Sequence, residues 1–151
     1  MKIFLGGYPG AGKTTFSRWL QTQGWHCLDF DLTSPTRVLG LLKASADHPA
    51  FHHSPLVAEG GFLEEAPKFQ EMFNRIGFTP IWLTGSKENL YASRRTRGDA
   101  ESHLRADWIN LVDTHRSKIQ WRLEVDMWQG AVRKTGPQVL AEILREIEGN
   151  V

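Results

Sequence analysis

Gly7, Gly12, Lys13 and Thr14 follow the spacing Gly-x-x-x-x-Gly-Lys-Thr, with Tyr8-Pro9-Gly10-Ala11 filling the gap. That spacing makes a loop whose backbone amides can wrap a phosphate. Glycines accept positive φ and let N–H groups approach phosphate oxygens closely. A helix opening at Lys13 adds the positive end of its dipole. The Lys13 ammonium can reach β and γ phosphates as a mobile point charge. The Thr14 hydroxyl suits Mg²⁺, which keeps most of its waters. The expected triphosphate contacts are Gly7, Gly10, Ala11, Gly12, Lys13, Thr14 and Thr15. The expected ligand is ATP or GTP with Mg²⁺, and the loop near 134–136 is the candidate for reading the base. The competing account of the motif is a glycine-rich turn that happens to precede a helix; it leaves the lysine and the hydroxyl unexplained.

Phosphoryl transfer also needs an acid near the metal and a carboxylate that orients or deprotonates an acceptor hydroxyl. Asp29-Phe30-Asp31 is expected to end a strand, so alternation sends the two carboxylates to one side. Asp31 is assigned to the acceptor hydroxyl and Asp29 to the magnesium waters. Either could instead cap a following helix. Glu59-Gly60-Gly61 is expected to end the next strand, where Glu59 could order a magnesium water. The two glycines would let backbone approach a substrate; the alternative is a tight turn with a solvated Glu. Arg94, Arg95, Arg97 and Arg105 surround Gly98-Asp99. Arginines on a closing loop can stabilise a transferring phosphoryl group, and a guanidinium can stack on a base. A solvated charged face is the competing account. Arg97-Gly98-Asp99 is read as a chance tripeptide, and His52-His53 lacks partners at zinc-ligand spacing.

These residues must be positioned by an alternating chain. Strands are expected at 2–6, 25–30, 56–58, 79–83 and 124–128. Helices are expected at 13–23, near 36–46, at 64–76, 87–96 and 101–122, and from Pro137 onward. Such alternation implies an α/β fold: a three-layer α/β/α arrangement around a parallel sheet of about five strands. Ligands in such sheets sit beyond the carboxyl ends of the strands, where every motif above falls. Trp19 and Trp82 are expected in the core. Trp108, Trp121 and Trp128 are read as core or rim before any base-stacking surface.

The 151 residues fit one domain, with a lid at about 94–107 and an acceptor-binding segment at about 32–54. A net charge of +1 gives no global field for a polyanion. Cys27 is the sole cysteine, so no internal disulfide can form. A strand from Lys2 leaves no room for a leader, and no apolar run approaches the roughly 20 residues of a membrane span. The cytoplasm is the expected compartment, and no membrane is an expected partner. Oligomeric state is not legible.

Gly-Tyr-Pro-Gly-Ala-Gly-Lys-Thr-Thr, then Gly24-Trp25, then Asp29-x-Asp31, resembles the start of shikimate kinase and its relatives. Those relatives include gluconate kinase, chloramphenicol phosphotransferase and the kinase domain of polynucleotide kinases. Gly60-Gly61 is similar to the family's glycine pair after the third strand, 90–94 to the helix opening its lid, and 118–147 to its last strand and helix. The resemblance implies ATP-dependent phosphoryl transfer to a hydroxyl. By position it gives Asp29 the magnesium side, Asp31 the substrate side, Arg94 a stack on adenine, and Arg97 or Arg105 the lid arginine. The chain departs from the family in lacking the lid's arginine-proline. The stretch from Asp31 to Gly60 is shorter than in shikimate kinase, and Arg37 is the group it offers to a substrate carboxylate.

Three functions stand as expectations. One is a kinase acting on a hydroxyl or phosphate of a nucleotide-like, nucleoside-like or other small acceptor. A second is a kinase acting on nucleic acid, at a 5′-hydroxyl or a hydroxymethylated base, suited to an open cleft. The third is a nucleotide-dependent switch that transfers nothing.

Overall fold

Five short runs, most of them apolar, become the strands of one parallel sheet. The structure, a computed structural model, describes residues 1–29, 37, 40, 43–44, 54–60, 66–98 and 107–149. Its elements are β1 (Lys2–Gly7), α1 (Lys13–Thr22), β2 (His26–Asp29), β3 (Leu56–Glu59), α2 (Ala66–Ile76), β4 (Thr79–Thr84), α3 (Lys87–Thr96), α4 (Asp107–Arg116), β5 (Leu123–Asp126), β6 (Trp128–Gln129), β7 (Val132–Arg133) and α5 (Gly136–Glu148). The sheet order is β2-β3-β1-β4-β5, and every pairing is parallel. The expected α/β architecture with a five-stranded parallel sheet is therefore observed.

β1 lies at the centre, and its Ile3, Phe4 and Leu5 are all buried. Burial on both faces is what an unbroken apolar strand requires. Phe4 stacks on Phe73 of α2, with ring centroids 4.3 Å apart. Ile3 and Leu5 must then point to the other side. α1 packs on β2 and β3 and meets α5. Phe16 and Leu20 supply its buried stripe; Val139 and Ile143 supply that of α5. Trp82 is fully buried, as expected, while Trp19 packs partly buried at the core's margin. Trp121 packs across β1: a Cβ on Gly6 would collide with its ring. Its indole Nε1–H donates to Arg116 O at 3.0 Å.

Local chemistry sets the boundaries that differ from expectation. The helix expected over 101–122 ends, in its described part, at Arg116. There the chain turns: Ser117 N–H donates to Asp113 O at 3.1 Å and Ile119 N–H to Arg116 O at 3.2 Å. The last strand stops at Asp126 rather than Trp128, because Asp126 Oδ1 takes the Trp128 N–H at 2.9 Å. Beyond it lies a hairpin absent from the expected elements, β6–β7, turning at Gly130 with φ 63°. α5 opens at Gly136, with Gln138 Oε1 accepting the Thr135 N–H at 2.8 Å. The helix expected near 36–46, together with Asp31, Gly61 and Arg105, lies outside the described residues or, for the helix, largely so. Among the described residues no helix is long and apolar enough to cross a membrane.

Candidate functional site

The loop after β1 folds as its glycines require. Gly10 and Gly12 have φ of 88° and 93°, a region that L side chains rarely enter. Ala11 N–H donates to Tyr8 O at 2.9 Å and closes the turn. The first backbone bond of α1 is Phe16 N–H to Gly12 O at 2.9 Å. The amides of Lys13, Thr14 and Thr15 precede it and sit at the helix's positive end. Lys13 Nζ lies over the loop and donates to Gly7 O at 3.0 Å. Gly7 has little room for a side chain, since a Cβ there would lie 2.7 Å from Leu83 O. At Gly10 a Cβ would lie 2.8 Å from Arg94 Cγ and 2.9 Å from Leu90 O.

The acids arrive on neighbouring strands. Asp29 of β2 and Glu59 of β3 are register partners at the carboxyl edge of the sheet. Glu59 is 3% exposed, and its Oε2 has no hydrogen-bond partner. Burial raises its pKa above the ordinary carboxylate range, and Asp29 adds to that. The Ser17 and Thr14 hydroxyls and the Lys13 charge oppose the rise. Among the described residues no cluster of three or more His, Cys, Asp or Glu makes a metal cage. The donor set nevertheless fits Mg²⁺, which typically takes one or two carboxylates alongside waters and phosphate oxygens. The buried Glu59 oxygen that lacks a hydrogen-bond partner is the observation that fits. Gly60 is buried just past Glu59, and Arg37 is exposed.

A cleft of ≈ 760 Å³ opens over the loop, lined in part by Lys13, Thr14, Thr15, Arg18, Ser93, Arg97 and Arg133. Arg97, at the C-terminus of α3, is therefore on the rim where a lid arginine was expected. Arg94, to which the resemblance gives a stack on adenine, lies beside the loop after β1. It is 7% exposed, with its stem against Gly10. Leu90 and Arg94 are one turn apart, so they share the inward face of α3.

Two features have no counterpart among the sequence expectations. Tyr8 lies within the loop, and its hydroxyl donates to Asp113 Oδ1 of α4. Arg116 pairs with Glu124 and lies over the Trp82 ring at 5.2 Å. Burial raises the Tyr8 pKa, with its bond to Asp113 acting in the same direction. The second feature is Arg133. Its guanidinium donates to Ala11 O and Gly10 O, each at 2.9 Å, and to Ser93 Oγ at 2.8 Å. The candidate base-reading loop begins one residue later, at Lys134, and nothing local marks Arg133 itself.

No protein-family model and no curated protein matches the sequence. Solved structures do match in fold. Shikimate kinase from Acinetobacter baumannii in complex with shikimate superposes with a TM-score of 0.65 at 22% identity, over 99% of this chain and 93% of that one. The Bacillus subtilis YorR protein in complex with phosphorylated GDP gives 0.61 at 12% identity, over 98% and 96%. A gluconokinase from Sinorhizobium meliloti gives 0.57 at 18% identity, over 97% and 91%. The chain therefore has the fold of the P-loop kinases along nearly its whole length.

Proposed function

We propose that the chain is an ATP- and Mg²⁺-dependent phosphotransferase. It moves the γ-phosphoryl group to a hydroxyl or phosphate of a nucleotide-like, nucleoside-like or other small acceptor. The observation that carries the reading is the positive-φ loop that ends β1, with Glu59 and Asp29 as register partners at the same carboxyl edge of the sheet. Gly7, Gly10, Ala11, Gly12 and the α1 amides hold the phosphates, and Lys13 neutralises the β and γ oxygens. Thr14, Asp29 and Glu59 would hold Mg²⁺ directly or through its waters, and that ion would supply charge neutralisation of the transferring group. Asp31 orients the acceptor hydroxyl and takes its proton. Arg97 and Arg105 close over the phosphoryl group and exclude water. Arg37, Gly60 and Gly61 contact the acceptor. The fold shared with kinases agrees with this reading without carrying it.

The test is transfer of label from γ-labelled ATP to a panel of nucleosides, nucleoside monophosphates, small polyols and oligonucleotides. The oligonucleotides carry either a 5′-hydroxyl or a hydroxymethylated base. Label in a small acceptor, lost in Lys13→Ala and in Asp31→Asn, is the expected result. Label in the polymer alone would make nucleic acid the acceptor and overturn the small-acceptor assignment. ATP hydrolysis with no transfer to any acceptor would overturn the kinase reading in favour of a switch.

A further inference from the structure

Arg133 lies 122 residues along the chain from Ala11, yet its side chain closes on the phosphate loop. It ends the β6–β7 hairpin, which is fixed to α3 at two points one turn apart. Asn89 Nδ2 donates to Gly130 O at 2.9 Å at the hairpin tip. Arg133 itself donates to Ser93 Oγ at 2.8 Å. Its Cζ lies 4.3 Å over the Trp128 ring, which locks the guanidinium plane. A Cβ on Gly12 would collide with Nη1, so the glycine at this position leaves room for the guanidinium.

The acceptors on the loop are carbonyls, not phosphates. Nη1–H donates to Ala11 O and Nη2–H to Gly10 O, both at 2.9 Å. A peptide unit is planar, so holding its carbonyl also aims its N–H. The Ala11 carbonyl shares its unit with the Gly12 amide, which belongs to the phosphate cradle. A cation on the carbonyl side further polarises that amide toward an anion. We propose that Arg133 is a positioning residue for triphosphate binding: it braces the Gly10 and Ala11 carbonyls from behind and ties them, through Ser93, to the helix that carries Arg97. The inference rests on the reading of the loop as a triphosphate site. Burial lowers the Arg133 pKa from its ordinary value.

The fork is what distinguishes a brace from a simple charge. A lysine could replace a point charge near phosphate, but it cannot reproduce two divergent N–H bonds in one plane. Calorimetric titration with Mg·ATP and Mg·ADP would compare wild type, Arg133→Lys, Arg133→Gln, Ser93→Ala and Asn89→Ala, with thermal unfolding recorded for each. Both Arg133 variants should bind about ten- to a hundredfold more weakly, and Ser93→Ala about two- to tenfold. Asn89→Ala loosens the hairpin tip and leaves the fork, so it should stay within about twofold of wild type. Arg133→Lys binding as tightly as wild type would overturn the brace. So would Asn89→Ala losing as much affinity as Arg133→Lys, since hairpin integrity alone would then explain the effect. If the Arg133 variants do not fold, Ser93→Ala matching wild type would overturn it. Wild type failing to bind either nucleotide would remove the triphosphate reading and the brace together; binding unchanged in Arg133→Lys removes the brace alone.

Discussion

Gly10 and Gly77 separate two sources of strain that usually arrive together. Their φ values are 88° and 85°, so an alanine at either position meets nearly the same backbone penalty. That penalty is about 1–2 kcal/mol. Their surroundings differ. At Gly77 nothing lies within 4 Å of an added Cβ. At Gly10 the Cβ would sit 2.9 Å from the backbone oxygen of Leu90 and 2.8 Å from Arg94 Cγ. The Leu90 carbonyl belongs to a helix and cannot move aside without shifting α3. Forcing a methyl into such a site adds about 1–3 kcal/mol. Gly77→Ala should therefore cost about 1–2 kcal/mol and Gly10→Ala about 2–5 kcal/mol. Urea unfolding at equal slope would read both. Mg·ATP affinity should fall only in Gly10→Ala, because only that change displaces the loop from α3. Equal urea midpoints for the two variants would refute the close approach of loop and helix.

Two further outcomes concern the acids and the cysteine. Glu59→Gln should remove about ten- to a hundredfold of the gain in ATP affinity that Mg²⁺ gives, while metal-free ATP binding holds; an unchanged Mg²⁺ dependence would exclude Glu59 from the metal's surroundings. Burial, reinforced by Glu59, pushes the Cys27 thiol up to about 11. The folded chain thus holds this proton more tightly than the unfolded chain, so the stability linked to it is full below the ordinary thiol pKa of about 8.5 and is lost as pH rises through the folded value. Iodoacetamide should label Cys27 far more slowly than a free thiol at pH near 8.5, and labelling at the free-thiol rate would contradict the placement.

What the sequence reveals here is what depends on neighbours in the chain. The positive φ at Gly10 and Gly12 is a one-residue requirement, so the spacing alone announces the loop. β1 and β4 show as buried runs, and Glu59 as an acid at a strand end. Arg133 has no local signature; its partners Gly10 and Ala11 come from the other end of the chain, and its anchor Trp128 resembles any core aromatic. The hairpin stays hidden because one side chain, Asp126, intercepts the Trp128 amide and ends a strand that the residue pattern would continue. Arg94 lies in a basic run, yet its helical phase pairs it with Leu90 on the inner face. The Tyr8–Asp113 bond is equally hidden, since tyrosine at a variable loop position has no fixed meaning before α4 is placed.

β1 is flanked on both sides, by β3 and β4, while β2 is an outer strand. The phosphate loop is thus mounted on a strand paired along both edges, as β3 and β4 also are. The 30–53 connection, which the proposed reading gives to the acceptor, leaves from the rim of that sheet. Such a division would let a lineage vary the proposed acceptor segment repeatedly while inheriting one unaltered phosphate loop.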